Sequence, residues 1–156
     1  MSGSARPIRL LLVHGSRLNA AAWLPLEEAL LGRIVCDHVD LPGHGTRSDV
    51  PFTMEAALEV VGAGVADLDP SQHRVVVAGH SLGGYVAMAT AGRAPEMIAG
   101  LVPMCSTAQP NRMLAFPFRM LGAVTAVMPK EAALISRGLT NVALGRQVSR
   151  DMEAGG

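Results

Sequence analysis

The residues with the clearest chemical meaning are the six consecutive positions Gly79-His80-Ser81-Leu82-Gly83-Gly84. They contain a G-x-S-x-G motif between an apolar run, RVVVA, and a helical pattern. A serine at such a strand-to-helix turn lies at the amino end of a helix, where free amides and the helix dipole stabilise negative charge. Small flanking residues leave space for the neighbouring backbone. The motif therefore predicts nucleophilic attack by Ser81 through an anionic tetrahedral intermediate.

Short apolar runs that alternate with helical patterns surround this motif. The alternation is typical of an α/β fold in which crossover helices connect the strands of a parallel sheet. We predict strands at Ile8–Val13, Ile34–Asp40, Arg74–Ala78 and Ile98–Met104, and helices at Ala20–Leu31, Met54–Leu68 and Leu82–Ala94. Thr53 is the predicted cap of the second helix, and Pro95 ends the third. These elements would place Ser81 at the carboxyl edge of the sheet.

Two further motifs follow the first two predicted strands. His14-Gly15-Ser16 comes after the first, and Asp40-Leu41-Pro42-Gly43-His44-Gly45 comes after the second. With Gly79–Gly84 third in order, the chain resembles the α/β-hydrolase family, in particular its esterase-like serine hydrolases, over about the first 105 residues. The ordered set of three motifs is far more specific than the serine motif alone.

The resemblance implies a role for each matching residue. Ser81 matches the nucleophile, and the backbone N–H groups of Ser16 and Leu82 match the two oxyanion-hole donors. A serine at this position argues against the branches of the family that open epoxides or displace halide, which use an aspartate there. The family topology implies a parallel sheet in the order second, first, third, fourth strand. The residues implied to support the elbow and the oxyanion loop are His14, Gly15, Gly79, His80 and Gly83.

The resemblance also implies an acid and a histidine after later strands, but no histidine follows His80. We therefore expect the sequence to be truncated after its fourth readable strand and to end inside a cap. The expected organisation is an α/β-hydrolase core at 1–105 and a helical cap-like segment at 106–156. The predicted helices of this segment are Asn111–Met128, Lys130–Arg137 and Thr140–Glu153.

The chain contains five histidines that are candidates for the missing base. His14 and His44 are minority candidates at the carboxyl edge, although His14 is better explained as loop support and His44 as part of its turn. His38 is predicted to be a core residue. His73 precedes its strand and would lie at the opposite end of the sheet, and His80 would point away from its neighbour Ser81. The sequence singles out no acid for the triad.

Two functions consequently remain open, with a third arrangement that nothing in the residues demands. The first is a serine hydrolase of carboxylic esters or related acyl substrates that forms a Ser81 acyl-enzyme. The alternative is a non-catalytic or degenerate binding module that keeps the pocket without the proton relay. In the third, a second chain docks on the unpaired edge of the fourth strand and supplies the histidine.

Composition limits the classes of partner and cofactor. The 156 residues have a formal net charge of zero and no long block of one sign, which argues against nucleic acid. The apolar stretch from Met113 to Met128 is too interrupted for stable membrane insertion. Its side chains are better explained by packing of the cap on the core than by an acyl pocket, and the expected partner is a small-molecule, apolar acyl substrate. Without a recognisable signal peptide we expect a cytoplasmic protein. No metal cluster or dinucleotide motif is present, so no cofactor is expected, and Cys36 and Cys105 are predicted to be buried free thiols.

Overall fold

A computed structural model describes residues 6–106 and Arg150. Within them, four strands form one parallel sheet, and the predicted α/β fold with its strand order is confirmed. The sheet order is β2-β1-β3-β4. The strands are β1 (Ile8–Val13), β2 (Val35–Val39), β3 (Arg74–His80) and β4 (Gly100–Met104). β3 continues two residues beyond the predicted end and leads directly into Ser81.

Three α-helices connect these strands: α1 (Leu24–Leu30), α2 (Met54–Asp67) and α3 (Leu82–Arg93). Thr53 caps α2 as predicted, since its side chain accepts a hydrogen bond from the Ala56 amide at 3.0 Å. The single helix predicted at Ala20–Leu31 is wrong, because a 3-10 turn at Ala20–Trp23 precedes α1. Pro25 explains the break: proline is tolerated in the first turn of an α-helix but not in its interior.

The sheet separates two apolar clusters, as the alternation of side chains along a strand requires. Leu11 and Val13 of β1 lie in the cluster that α2 and α3 cover, whereas Leu12 packs with Trp23 and Ala78 on the opposite face. Both faces of β1 are therefore buried. The larger cluster consists of Leu11, Val13, Leu41, Ala57, Leu58, Val61, Val65, Leu68, Val75, Val77, Val86 and Ala87.

The strand register aligns the carboxyl ends of all four strands. Val13 pairs with Val39 on one side and with Gly79 on the other, and Gly79 pairs with Pro103. Because the strands are parallel, the segments that follow them emerge at the same edge. The three sequence motifs and the residues after β4 are thus brought to one place in the fold.

Two sequence predictions about burial are wrong. Cys36 is part-exposed and Cys105 is exposed, although both are free thiols as predicted. His38 is also exposed, and its Nε2 lies 3.2 Å from a carboxylate oxygen of Glu27. Cys36 and His38 are accessible to solvent because β2 is an outer strand of the described sheet, where alternate side chains meet solvent.

The predicted cap helices within 106–156 lie outside the described residues, apart from Arg150. Among the residues that are described, no helix is long and apolar enough to cross a membrane. The same part of the chain contains no cluster of three or more histidine, cysteine or acidic side chains that could hold a metal ion.

Candidate active site

Ser81 has an unusual backbone conformation between β3 and α3. Its φ is 51° and its ψ is −114°, in a region that residues with a side chain rarely adopt. Such a residue costs on the order of 1–3 kcal/mol and persists only when its surroundings hold it in place. The conformation turns the chain sharply from strand to helix and puts the half-buried Ser81 at the amino end of α3.

Two glycines of the motif allow this turn to pack against neighbouring backbone. A Cβ atom on Gly79 would overlap the main-chain carbonyl of Gly83. A Cβ atom on Gly83 would in turn overlap the carbonyls of Val13 and His14 at the end of β1. The first turn of α3 therefore lies directly on β1 and β3, at distances that only glycine permits.

The backbone of Ser81 is hydrogen-bonded on both sides of its Cα atom. Its N–H donates to the carbonyl of Met104 at 2.8 Å. Its carbonyl accepts from the amides of Gly84 at 3.0 Å and Tyr85 at 3.2 Å, and from the Ser106 hydroxyl at 2.8 Å. These contacts are the surroundings that hold the strained conformation.

His14 is completely buried beside the elbow, and both nitrogens of its ring are engaged. Nδ1 lies 2.8 Å from the Gly15 carbonyl, and Nε2 accepts from the Leu41 amide at 3.0 Å. A carbonyl can only accept and an amide N–H can only donate, so the ring is the neutral tautomer protonated at Nδ1. Burial lowers the pKa of His14, and the nearby His44 lowers it further, which favours the same neutral state.

The predicted oxyanion loop is held by contacts to Gly15. The Gly15 carbonyl accepts from the His14 ring and from the Leu18 amide at 3.2 Å. A Cβ atom on Gly15 would come within 2.8 Å of His80 Nδ1, so the His80 ring packs against this loop. In a trans peptide the C=O and the following N–H point in opposite directions, so a fixed Gly15 carbonyl also fixes the Ser16 N–H.

The two predicted oxyanion donors have the same local arrangement. The Ser16 amide shares its peptide with the Gly15 carbonyl, and the Leu82 amide shares its peptide with the Ser81 carbonyl. Both carbonyls are held in place by hydrogen bonds. Neither the Ser16 N–H nor the Leu82 N–H donates a hydrogen bond to another group within residues 6–106. Two oriented amides at one edge of the sheet, with no acceptor in the described part of the chain, can bind an anionic oxygen.

Asp40 supports the loop after β2 and is nine-tenths buried. Its carboxylate accepts from the Ala20 amide at 2.7 Å, from the Thr46 amide at 2.9 Å and from the Thr46 hydroxyl at 2.8 Å. Burial alone raises the pKa of Asp40, but the hydrogen bonds from Thr46 and Ala20 outweigh burial, and the net shift is downward. With three hydrogen-bond donors, this carboxylate stabilises the loop. One of its oxygens lies 3.7 Å from His14 Nε2.

The structure brings the imidazole of His44 close to that of His14, with ring centroids 5.2 Å apart. His44 Nδ1 bonds to the Pro42 carbonyl at 2.9 Å, and the ring meets Phe52 edge-on at 6.3 Å. His73 precedes β3 and lies at the amino end of the sheet.

Within residues 6–106, the hydroxyl of Ser81 has no hydrogen-bond partner, so the described part of the chain shows no base in contact with it.

Sequence reasoning missed one residue at this site. Ser106 lies two residues after the end of β4, next to Cys105. Its hydroxyl donates a hydrogen bond to the Ser81 carbonyl. The available signal was Gly84, the additional glycine after the five-residue motif. A Cβ atom on Gly84 would overlap Ser106 Oγ, so the glycine marks the close approach of another segment.

Comparison with known proteins finds esterases. The chain is 35% identical over 112 residues to a pimeloyl-[acyl-carrier protein] methyl ester esterase of Nitrosomonas europaea, which covers 71% of the chain and 42% of that protein. It is 34% identical over 113 residues to protein phosphatase methylesterase 1 of Mus musculus, covering 67% of the chain and 28% of that protein. The chain thus spans less than half the length of these two curated relatives.

Solved structures show the same fold. A methylesterase of Arabidopsis, MES16, has a TM-score of 0.58 at 26% identity, covering 68% of this chain and 47% of that one. A thermophilic esterase of Thermogutta terrifontis has a TM-score of 0.68 over 97% of this chain and 58% of that one, at 23% identity. The model of the alpha/beta hydrolase family matches residues 10–154. The chain therefore belongs to the alpha/beta hydrolase family.

Proposed function

We propose that this protein is a serine hydrolase that acts on carboxylic esters or related acyl substrates through an acyl-enzyme on Ser81. The observation that carries the proposal is the strained conformation of Ser81 at the start of α3. The peptide groups that contain the Leu82 and Ser16 amides are held by hydrogen bonds to their carbonyls. Strain of this kind is maintained at functional sites, where it positions a reacting group. The oriented amides supply the electrostatic stabilisation that acyl transfer needs most.

The proposed chemistry has two stages. Ser81 Oγ attacks the ester carbonyl and loses its proton to a general base, while the Leu82 and Ser16 amides bind the resulting oxyanion. Collapse expels the alcohol, which takes the proton, and leaves an acyl group on Ser81. Water then attacks the acyl-enzyme by the reverse sequence of proton transfers, and the carboxylic acid departs.

The described histidines differ in how well they could serve as the general base. His14 is unsuited, because accepting a proton at Nε2 would break its bond from the Leu41 amide in a fully buried position. His44 uses only Nδ1 for its bond to Pro42, and no hydrogen bond within residues 6–106 engages its Nε2. His44 is therefore the described histidine to substitute first.

The names of the relatives point to methyl esters as the substrate class. Both relatives described above carry names that specify methyl ester hydrolysis. An ester with a small alcohol needs little space for its leaving group, so specificity would come from the acyl side. A small, apolar acyl substrate and a cytoplasmic location stay predictions that accompany this proposal.

Hydrolysis of p-nitrophenyl acetate by the purified 156-residue chain tests the proposal, with Ser81→Ala as the negative variant. We expect a burst of nitrophenol that matches the protein concentration, followed by slower turnover, and we expect Ser81→Ala to lose both. His44→Gln would abolish the burst if His44 is the base. Equal rates for wild type and Ser81→Ala would contradict the proposal.

A non-catalytic binding module is the second candidate, and one observation favours it. The Ser81 hydroxyl lacks a hydrogen-bond partner within residues 6–106, and a serine without a base is a poor nucleophile. This candidate predicts that an ester shifts the amide resonances of the site while no alcohol is released. Release of stoichiometric nitrophenol would exclude it.

Self-association is a separate prediction that concerns β4. Among residues 6–106, β4 is an outermost strand of the sheet, and its Val102 is 45% exposed. An unpaired strand edge can pair with a second copy of the chain. Sedimentation that shows only monomer at working concentrations would contradict this prediction.

A further inference from the structure

We propose that Ser106 is a positioning residue that orients both the nucleophile and one oxyanion donor through its bond to the Ser81 carbonyl. This inference rests on the proposed role of Ser81. Ser106 Oγ lies 2.8 Å from the Ser81 carbonyl oxygen and 3.1 Å from that of Met104. A hydroxyl has one hydrogen, so the shorter contact, to Ser81, is the principal one.

The segment from Met104 to Ser106 holds the two peptide groups that flank the Ser81 Cα atom. The peptide before Ser81 is held through the bond from its N–H to Met104. The peptide after Ser81 is held through the bond from Ser106 to its carbonyl. Rotation of these two peptides is what φ and ψ of Ser81 describe, so one segment restrains both strained angles.

The second peptide also contains the Leu82 N–H. Because a trans peptide is planar, its C=O and N–H point in opposite directions, and a donor that holds the Ser81 carbonyl also fixes the direction of the Leu82 N–H. The amides of Gly84 and Tyr85 bind the same carbonyl from within α3, at 3.0 and 3.2 Å. Ser106 supplies the shortest of the three contacts, and the only one of them that comes from outside the helix.

Two local features show that space has been made for the Ser106 hydroxyl. Gly84 lacks the Cβ atom that would overlap it. Cys105 adopts a φ of 53°, which is unfavourable for a residue with a side chain and turns the chain toward the elbow immediately after β4. Both features involve positions outside the G-x-S-x-G motif, and neither is required by the strand or the helix alone.

The test compares wild type with Ser106→Ala and Ser106→Thr in the full chain, using Ser71→Ala as a matched loss of a hydroxyl at the other end of β3. Ser71 bonds to Asp69 in the exposed loop before β3. Two rates are measured: amide hydrogen exchange at Tyr85, whose N–H donates to the Ser81 carbonyl, relative to Val77, and covalent labelling by a fluorophosphonate probe. Ser81→Ala gives the background rate of labelling.

Ser106→Ala should raise exchange at Tyr85 selectively, because the Ser81 carbonyl that accepts from this amide is held less firmly. The expected rise is about threefold to tenfold, which corresponds to the loss of one hydrogen bond. Labelling should slow by a similar factor, since the displaced peptide carries an oxyanion donor. Ser106→Thr, which keeps the hydroxyl, should recover both rates, and Ser71→Ala should change neither.

Two results would overturn the inference: unchanged Tyr85 exchange in Ser106→Ala, or a rise of equal size at Val77, which would indicate a general loss of stability. A separate result concerns the proposed function. If wild type reacts with the probe no faster than Ser81→Ala, the proposed function fails, and the exchange rates alone still decide whether Ser106 holds the Ser81 peptide.

Discussion

Two glycines of α3 provide a matched pair of substitutions that tests how the elbow is packed. Gly83 lies in the first turn, where a Cβ atom would overlap the main-chain carbonyls of Val13 and His14. Gly92 lies in the last turn, where a Cβ atom would meet nothing within 4 Å. Replacement of either residue by alanine is chemically the same change in the same helix, so the difference between them isolates the contact with β1.

The expected magnitudes have opposite signs. Alanine is favoured over glycine in a helix interior by up to about 1 kcal/mol, so Gly92→Ala should raise the free energy of unfolding by roughly 0.5–1 kcal/mol. Gly83→Ala should gain the same propensity, but overpacking costs about 1–3 kcal/mol and more where the obstacle is rigid backbone. We expect Gly83→Ala to lower the free energy of unfolding by about 2 kcal/mol overall.

Urea denaturation of both variants and the wild type measures this difference by linear extrapolation. The reasoning predicts a gap of about 3 kcal/mol between the two variants, with the wild type between them. Gly83→Ala should also label more slowly with a fluorophosphonate, because the carbonyl of His14 must move. Equal stability of Gly83→Ala and Gly92→Ala would refute the packing of α3 on the end of β1.

Three further predictions concern residues around the site. His14 has a lowered pKa, so the unfolded state binds the proton first as pH falls below about 6.5, and the free energy of unfolding should then decline by up to about 1.4 kcal/mol per pH unit. His14→Gln should remove this part of the decline between pH 6.5 and 5, whereas the exposed His38→Gln should not; identical pH profiles for these two variants would contradict it. Asp40→Asn replaces an acceptor of Thr46 with an amide and should lower the free energy of unfolding by about 2 kcal/mol, measured in urea at pH 7; no loss would mean that Asp40 does not hold the loop. Leu31 ends α1 with φ 50° and ψ 39° and is 73% exposed, so Leu31→Gly should stabilise the protein by up to about 1 kcal/mol in the same assay, and destabilisation would contradict that reasoning.

The strands were predictable from their local sequence pattern, whereas their order followed from the resemblance to the α/β-hydrolase family. β1 combines a run of apolar residues with a polar motif at its end, and the structure has it at the predicted Ile8–Val13. The helix at Ala20–Leu31 was predicted too long, since its apolar spacing continues through Pro25 while proline restricts where the α-helix begins. Pro25 was thus a local signal for the later helix start, but the apolar spacing favoured the longer helix.

Burial and long-range contacts were harder to predict from sequence. Cys36 and His38 lie in an apolar run, but their exposure depends on β2 being an outer strand of the described sheet. The contact between Ser106 and Ser81 joins residues 25 positions apart and depends on the register of β4 against β3. Motif spacing identifies the elbow, whereas the support of the elbow becomes visible only when neighbouring strands are placed beside it.

The central claim is that Ser81 is a reactive nucleophile, and site-mapped covalent labelling tests it most directly. The purified chain is treated with a fluorophosphonate, and the modified peptide is identified by mass spectrometry in the wild type and in Ser81→Ala. We predict one adduct for each chain, located on Ser81, and no adduct in the variant. A folded wild-type protein that remains unmodified, or one that is modified equally in Ser81→Ala, would contradict the claim.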